Sequence, residues 1–429
     1  MLAILDRREM GRFVRDSRGR VSFAYSDAWR EAPDAFPLSL SMPLALREHG
    51  HARTDPFLWG LLPDNENILA RWGQRFQVSA RNAFGLVAAV GEDCAGAVQF
   101  VRPDRLDAIL GGARAPIEWL DEEAIAKRLR LLREDQAAWR IPGDTGQFSL
   151  AGAQPKTALL FENGHWGVPS GRTPTTHIFK PPSPQFDGHA ENEHFCLELA
   201  RGLGLPVAKS SIMRFREEVA IVIERYDRVR MRDGVQRVHQ EDACQALSVP
   251  PTRKYQSDGG PGIREIVELL KTHSSNPPED TNTFLDAVVY NWLIAGPDAH
   301  AKNYALLIGA AGRVRLAPLF DIASILPYPD FDLQRVRMAM RIGGEYKLRN
   351  IRLYQWRRQA QALRIDPTKM IARIDELARQ ISEHVPEVRR RMKIEGIRHP
   401  IVGTLAEALT ARMKEGRSLM RHRGEKELA

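Results

Sequence analysis

Along the 429-residue chain the spacing of apolar positions changes character region by region. From 1 to 100, short alternating pieces (Phe13-Val14, Val21 to Tyr25) are separated by turn residues such as Asp16 to Gly19. They run into helix-like pieces around Leu58 to Leu62 and Asn67 to Trp72, as in a small α+β module that serves as a docking surface or cover. Residues 101–145 hold one predicted helix, 121–134, with Asp121 as N-cap and Ile125, Leu129 and Leu132 on one face. Its glycine-, proline- and arginine-rich flanks mark this region as a linker. From 146 to 245 the pattern becomes strands at 147–150, 156–161, 165–168 and 175–180, with an Asn163-Gly164 hairpin turn. A helix over 191–201 follows, closed by Gly202 to Gly204, then strands over 211–215 and 219–224 and a further turn at Asp233-Gly234. From 246 to 429 helical periodicity takes over, notably at 284–295, 368–392 and 404–421. The expected fold is α+β and bilobal, with a strand-rich lobe, an all-helical C-terminal lobe and a cleft between them.

Composition sharpens this picture only slightly. The length exceeds what one core usually organises, and 43% hydrophobic with 27% charged residues is ordinary for a globular protein. The apolar stretch at the N-terminus is too short for a signal peptide and no run approaches a bilayer span, so a cytoplasmic location and no membrane partner are expected. Cys94, Cys196 and Cys244 are widely spaced among apolar neighbours, which reads as reduced core thiols. A net charge of +8 and a pI near 9.5 permit an anionic partner such as nucleic acid. The last segment is the most basic, with Arg412, Lys414, Arg417, Arg421 and Arg423.

The candidate chemistry lies at Asp298-Ala-His-Ala-Lys-Asn303. An amphipathic run carrying Phe284, Leu285, Val288, Val289, Trp292 and Leu293 leads in and stops at Gly296-Pro297. Asp321 follows two strand-like runs, 304–308 and 314–317. Phosphoryl transfer needs a base or orienting acid at the acceptor hydroxyl, oxygen ligands for Mg²⁺, a cation on the nucleotide phosphates and a backbone cover over them. In protein kinases an asparagine follows the catalytic aspartate by five residues and a second metal-binding aspartate comes later. Asp298, Asn303 and Asp321 have that order. Upstream, Lys180 ends a strand and precedes a helix carrying Glu191 and Glu193, and Ala151 to Pro155 joins two strands with small residues.

Seven stretches in order resemble the HipA family, serine/threonine kinase toxins of bacterial type II toxin-antitoxin modules. They are Ser149 to Thr157, Thr175 to Lys180, Glu224 to Arg228, Gln240 to Gln245, Lys254 to Gly262, Asp298 to Asn303, and Phe320-Asp321. The resemblance implies a protein-kinase-like fold with ATP and Mg²⁺ as cofactors. Asp298 would be catalytic and Asn303 and Asp321 would hold Mg²⁺. Ala151, Gly152, Ala153, Gln154, Pro155 and Lys156 would form the phosphate loop. Lys180, His300, Ala301 and Lys302 would lie at the phosphates, while Glu224, Arg225, Tyr226 and Phe320 would meet the rest of the nucleotide. Ser149 stands where the family autophosphorylates, and a phosphate there would eject the loop. Implied partners are a helix-turn-helix antitoxin, operator DNA through the antitoxin complex, and a protein substrate in translation such as an aminoacyl-tRNA synthetase. Pro155, Pro297 and Ala299 depart from the family pattern without removing a catalytic side chain. Two other readings stay open: a small-molecule kinase of the aminoglycoside or choline kind, and a weakly catalytic co-repressor whose segment from Arg412 to Arg423 assists on DNA.

Overall fold

The computed structural model describes residues 1–111, 116–135, 149–152, 154–182, 186–232 and 234–424, with side chains to 415. Ala153, residues 147–148 of the first expected strand and Asp233 lie outside the described residues, as do the side chains of Arg417, Arg421 and Arg423.

The N-terminal subdomain is a five-stranded antiparallel sheet with Arg8–Arg15 at its centre, between Val21–Tyr25 and Leu2–Leu5. Leu2–Leu5, the apolar stretch judged too short for a signal, is a wholly buried strand. Gly11 faces the ring of Phe23, where a Cβ would come within 2.6 Å of the ring and 2.4 Å of the Ala24 carbonyl. Only glycine fits so close an approach. Three helices, His51–Gly60, Glu66–Phe76 and Ala83–Val90, cover the sheet.

The second lobe is a six-stranded antiparallel sheet in the order Ser210–Phe215, Glu218–Glu224, His177–Lys180, Thr157–Glu162, His165–Val168, Glu118–Leu120. Asn163 and Gly164 both have positive φ, 52° and 82°, as a two-residue hairpin turn demands. The expected linker is built into this lobe. Its strand Glu118–Leu120 forms the sheet edge, and helix Glu122–Glu134, capped by Asp121, packs Ile125 and Leu129 against Leu159, Phe179 and Val222. Ser149 and Leu150, expected to end a strand, lie in irregular chain; the Ser149 N–H and hydroxyl donate to the Asp93 and Leu61 carbonyls of the N-terminal subdomain instead of to a strand.

Helix His189–Gly202 covers the lobe's other side and is buried almost throughout. It rests on the 28-residue helix Pro367–Ile394, where Met370, Ile374, Leu377, Ile381 and Val385 of the stripe expected from the sequence are buried, the expected Ile371 is only half-buried, and Val388 extends the buried face. The C-terminal lobe is helical in bulk, with Ile263–His273, Pro277–Leu293, Leu353–Ala362 and Pro400–Gly424. It is not helical throughout. Ala305–Gly309 pairs with His239–Asp242 on one side and with Arg313–Leu316 on the other, and Arg337–Ile342 pairs with Glu345–Lys347. These short strands give the loops on either side of the 298–303 segment a fixed frame. One continuous core joins this lobe to the N-terminal subdomain.

Candidate active site

A cavity of about 640 Å³ opens between the two lobes and is lined by residues from all three parts of the chain. Asp298 follows helix Pro277–Leu293 by a short turn, and Asn303 closes that turn by donating its amide to the Asp298 carbonyl at 2.9 Å. The asparagine's amide oxygen is thereby the end offered to a cation. Tyr255 donates its hydroxyl to Asp298 Oδ1 at 2.5 Å. Burial raises the Asp298 pKa, the Tyr255 bond opposes that, and Asp321 adds to the rise.

Lys180, buried at the end of its strand, stands 2.7 Å from Glu193 and 2.8 Å from Asp321. Glu191 and Glu193 sit two positions apart on one helix and so point different ways; Glu193 is the one that reaches the lysine. Burial alone would lower the Lys180 pKa, but the two carboxylates hold it above the ordinary lysine value. Asp321 is held well below the carboxylate range, because Lys180 and Lys156 outweigh its burial. It occupies a left-handed backbone conformation, φ 58°, uncommon outside glycine and frequent at functional sites. Asn192, next to Glu193, pins this segment to the helix through paired bonds with Ser324, 2.7 and 3.0 Å.

The phosphate-loop candidate bends at Gly152, φ 103°, where a Cβ would meet Lys156 Nζ at 2.6 Å. Lys156 donates to the Ala151 carbonyl at 2.7 Å, and burial beside Lys180 lowers its pKa to about 8. Gln154 reaches His189, and Pro155 is buried. The loop is seated on the N-terminal subdomain. Ser149 donates to the Leu61 carbonyl at 2.7 Å, and Asp64 N–H donates to the Gly152 carbonyl at 3.3 Å.

At the far end, Ile178, Ala208, Ile223, Tyr226 and Phe320 make an apolar slot suited to a planar base, with the Tyr226 and Phe320 rings 5.8 Å apart. Glu224 lines its rim. Arg225 and Lys302 line the cavity as well, but their charged ends are engaged elsewhere. The Arg225 guanidinium turns into a buried cluster with Asp227, Asp93, Thr175 and the Cys94 carbonyl, where Asp93 and Asp227 also pair with buried Arg228 and Asp93 with the partly buried Arg237; buried charges of this kind persist only when paired. The Lys302 ammonium is committed to Asp242 at 3.3 Å, Asp64 at 3.6 Å and the Gly60 carbonyl at 3.3 Å. His300 stays at the site, neutral at pH 7 because burial pushes its pKa down to about 4, and its Nδ1 is buried without a hydrogen-bond partner. Ala301, within the same turn, is fully buried and does not appear in the cavity wall.

Among the described residues no three His, Cys, Asp or Glu side chains converge on a metal position. The donors on offer are Asn303 and Asp321, a hard-oxygen pair that suits Mg²⁺ when phosphate and water oxygens complete its shell. The residues fit the ion.

Sequence reasoning missed Tyr255, Lys254 and Asp64. The first two stood inside a quoted motif with no role attached. Asp64 meets Lys254 across 190 positions of chain, a contact that no local pattern announces. The N-terminal subdomain, expected as a docking surface or cover, contributes Gly60, Asp64 and Ala95 to the cavity wall. Arg412 also leaves the expected basic segment: it donates to the Trp292 and Leu293 carbonyls at 3.0 and 2.7 Å, capping the helix that delivers Asp298.

A buried lysine bridged between a helix glutamate and a left-handed aspartate, facing an aspartate–asparagine turn across a bilobal cleft, defines a kinase. The chain belongs to the HipA family: residues 148–385 match the HipA-like C-terminal domain and 1–101 the HipA N-terminal domain. Putative kinase Y4mE of Sinorhizobium fredii is 37% identical over 388 residues, 89% of this chain and 90% of that protein. The serine/threonine-protein kinase toxin HipA of Shewanella oneidensis is 31% identical over 382 residues, 85% and 83% of the two chains. A chain from the solved complex of Shewanella oneidensis HipA, HipB and operator DNA superposes with a TM-score of 0.81 at 26% identity, covering 96% of each chain. No described helix is long and apolar enough to cross a membrane.

Proposed function

We propose that this chain is an ATP- and Mg²⁺-dependent serine/threonine protein kinase, the toxin of a HipA–HipB-type module, which arrests growth by phosphorylating a component of translation and limits itself by autophosphorylation at Ser149. The observation that carries the chemistry is the Lys180 ammonium bridging Glu193 and Asp321 in the same cavity as Asp298 and Asn303. Lys180 and Lys156 meet the nucleotide phosphates, with Gly152 letting the loop backbone approach closely. Asp298 accepts the proton of the acceptor hydroxyl as that oxygen attacks the γ-phosphoryl group. Mg²⁺, held by Asn303 and Asp321, supplies charge neutralisation at the phosphate oxygens. The likeness to a chain of the HipA–HipB–operator complex supports an antitoxin partner and, through it, operator DNA.

The test is incubation of the purified chain with Mg-ATP, followed by mass spectrometry. Phosphate on Ser149 that disappears in Asp298→Ala is the expected result. Unchanged Ser149 phosphorylation in that variant overturns the mechanism, and phosphate passed only to an added aminoglycoside or choline would instead mark a small-molecule kinase.

A further inference from the structure

Lys254 and Tyr255, neighbours in the stretch that runs to Gly262, flank the base. Tyr255 donates to Asp298 Oδ1 at 2.5 Å and sets its ring edge-on to His300, centroids 5.0 Å apart. Lys254 lines the cavity, its carbonyl accepts from the Ala301 N–H at 3.4 Å, and its charge favours the ionised form of Asp298. Its ammonium is held by the N-terminal subdomain: Asp64 Oδ2 stands 2.8 Å away. Asp64 is itself buried, with its side chain 8% exposed, and its other oxygen lies 3.6 Å from Lys302 Nζ. Its backbone N–H reaches the Gly152 carbonyl of the phosphate loop. One residue of the N-terminal subdomain therefore touches the phosphate loop, the catalytic turn and the Lys254 loop together.

Lys302 is tied to Asp242 as well as to Asp64, and Lys254 is the lysine whose charge acts on Asp298. A lysine on a flexible stem serves a reacting phosphoryl group only if its position is fixed. A buried carboxylate at 2.8 Å fixes it.

We propose that Asp64 is a positioning residue of the phosphotransfer site: through it the N-terminal subdomain holds the Lys254 ammonium toward the γ-phosphoryl group and, through the adjoining Tyr255, aims Asp298 at the acceptor hydroxyl. This rests on the kinase reading above. As the acceptor oxygen bonds to Pγ, the bond from Pγ to the bridging oxygen of ADP breaks and its electron pair leaves with ADP. The acceptor proton passes to Asp298, and Lys254 offsets negative charge on the phosphoryl oxygens. The N-terminal subdomain then belongs to the catalytic unit.

Asp64→Asn, Lys254→Met and the double variant, made in the full chain, are compared with the wild type for phosphate transfer, for affinity toward a fluorescent ATP analogue and for thermal midpoint. Asp64→Asn is expected to lower kcat about 10²-fold, the scale of a misplaced catalytic group, while analogue affinity changes by less than about threefold. The double variant is expected to be no worse than Lys254→Met, since both changes remove one contact. Losses that multiply in the double variant, a fall in affinity equal to the fall in kcat, or an undiminished Asp64→Asn overturn the inference alone. A wild-type chain that transfers no phosphate sinks the kinase reading and this inference with it. If Asp64→Asn lowers the thermal midpoint, Tyr255→Phe decides, because it removes one hydroxyl: a kcat about tenfold lower at unchanged midpoint is expected, and an unchanged kcat overturns the inference.

Discussion

The Ser149 hydroxyl donates to the Leu61 carbonyl at 2.7 Å in a fully buried position, so the residue proposed for autophosphorylation is also a peg that seats the phosphate loop on the N-terminal subdomain. A phosphoserine carries nearly two negative charges, and an uncompensated buried charge costs several kcal/mol. The phosphorylated residue cannot remain seated. Ser149→Asp is expected to weaken ATP binding at least about tenfold, since roughly 1.4 kcal/mol of displaced loop contact suffices, and to open Lys156 to trypsin. Ser149→Ala, which loses about 1 kcal/mol with the single hydrogen bond, is expected to keep both properties near wild type. Limited proteolysis and nucleotide titration check the pair.

Glu193→Gln leaves Lys180 buried beside Asp321 alone. Removing one partner of a buried ion pair costs about 3–5 kcal/mol, although Asp321 keeps part of the compensation. The variant is expected to melt several degrees lower and to bind nucleotide poorly. Glu191→Gln, on the same helix and not paired with Lys180, is expected to bind nucleotide as the wild type does. Equal effects from the two substitutions would contradict the assignment of Glu193.

What could be read in the sequence was whatever depends on near neighbours. The Asn163-Gly164 hairpin, the Asp121 cap, the stripe from Met370 to Val385 and the five-residue interval between Asp298 and Asn303 are all set by local geometry. Contacts between distant segments were not legible. Nothing near Lys302 hinted that Asp64 and Asp242 would claim its ammonium, and nothing near Arg225 hinted at Asp93, 132 positions away. The choice between Glu191 and Glu193 required the rotation of a helix about its axis. Two-body placement, rather than residue type, decides each of these.

Lys156 titrates within an ordinary assay range. Its pKa is lowered to about 8, chiefly by burial and then by Lys180, so its ammonium is present below that pH and lost above it. ATP affinity is expected to fall as pH rises from 7 to 9, and binding near pH 8 to take up protons, because phosphates favour the charged form. Titration calorimetry in buffers of different ionisation enthalpy detects that uptake. Lys156→Arg, charged throughout, is expected to bind ATP with little pH dependence over the same range.

Glu241 makes stability itself pH-dependent. It is buried on the strand that meets the N-terminal subdomain, accepts the Leu40 N–H at 2.7 Å, and leaves Oε2 without a hydrogen-bond partner. Burial pushes its pKa up to about 8, and Asp242 adds to the rise. A carboxyl that keeps its proton in the folded chain, but loses it near 4.5 when unfolded, binds more protons folded than unfolded between those values. Stability then declines as pH climbs through that window, by at most about 1.4 kcal/mol per pH unit from this group. Glu241→Gln keeps an acceptor for Leu40 and cannot ionise. Its thermal midpoint is expected to fall less than that of the wild type between pH 5.5 and 8, and parallel curves for the two proteins would show that Glu241 is not the group responsible.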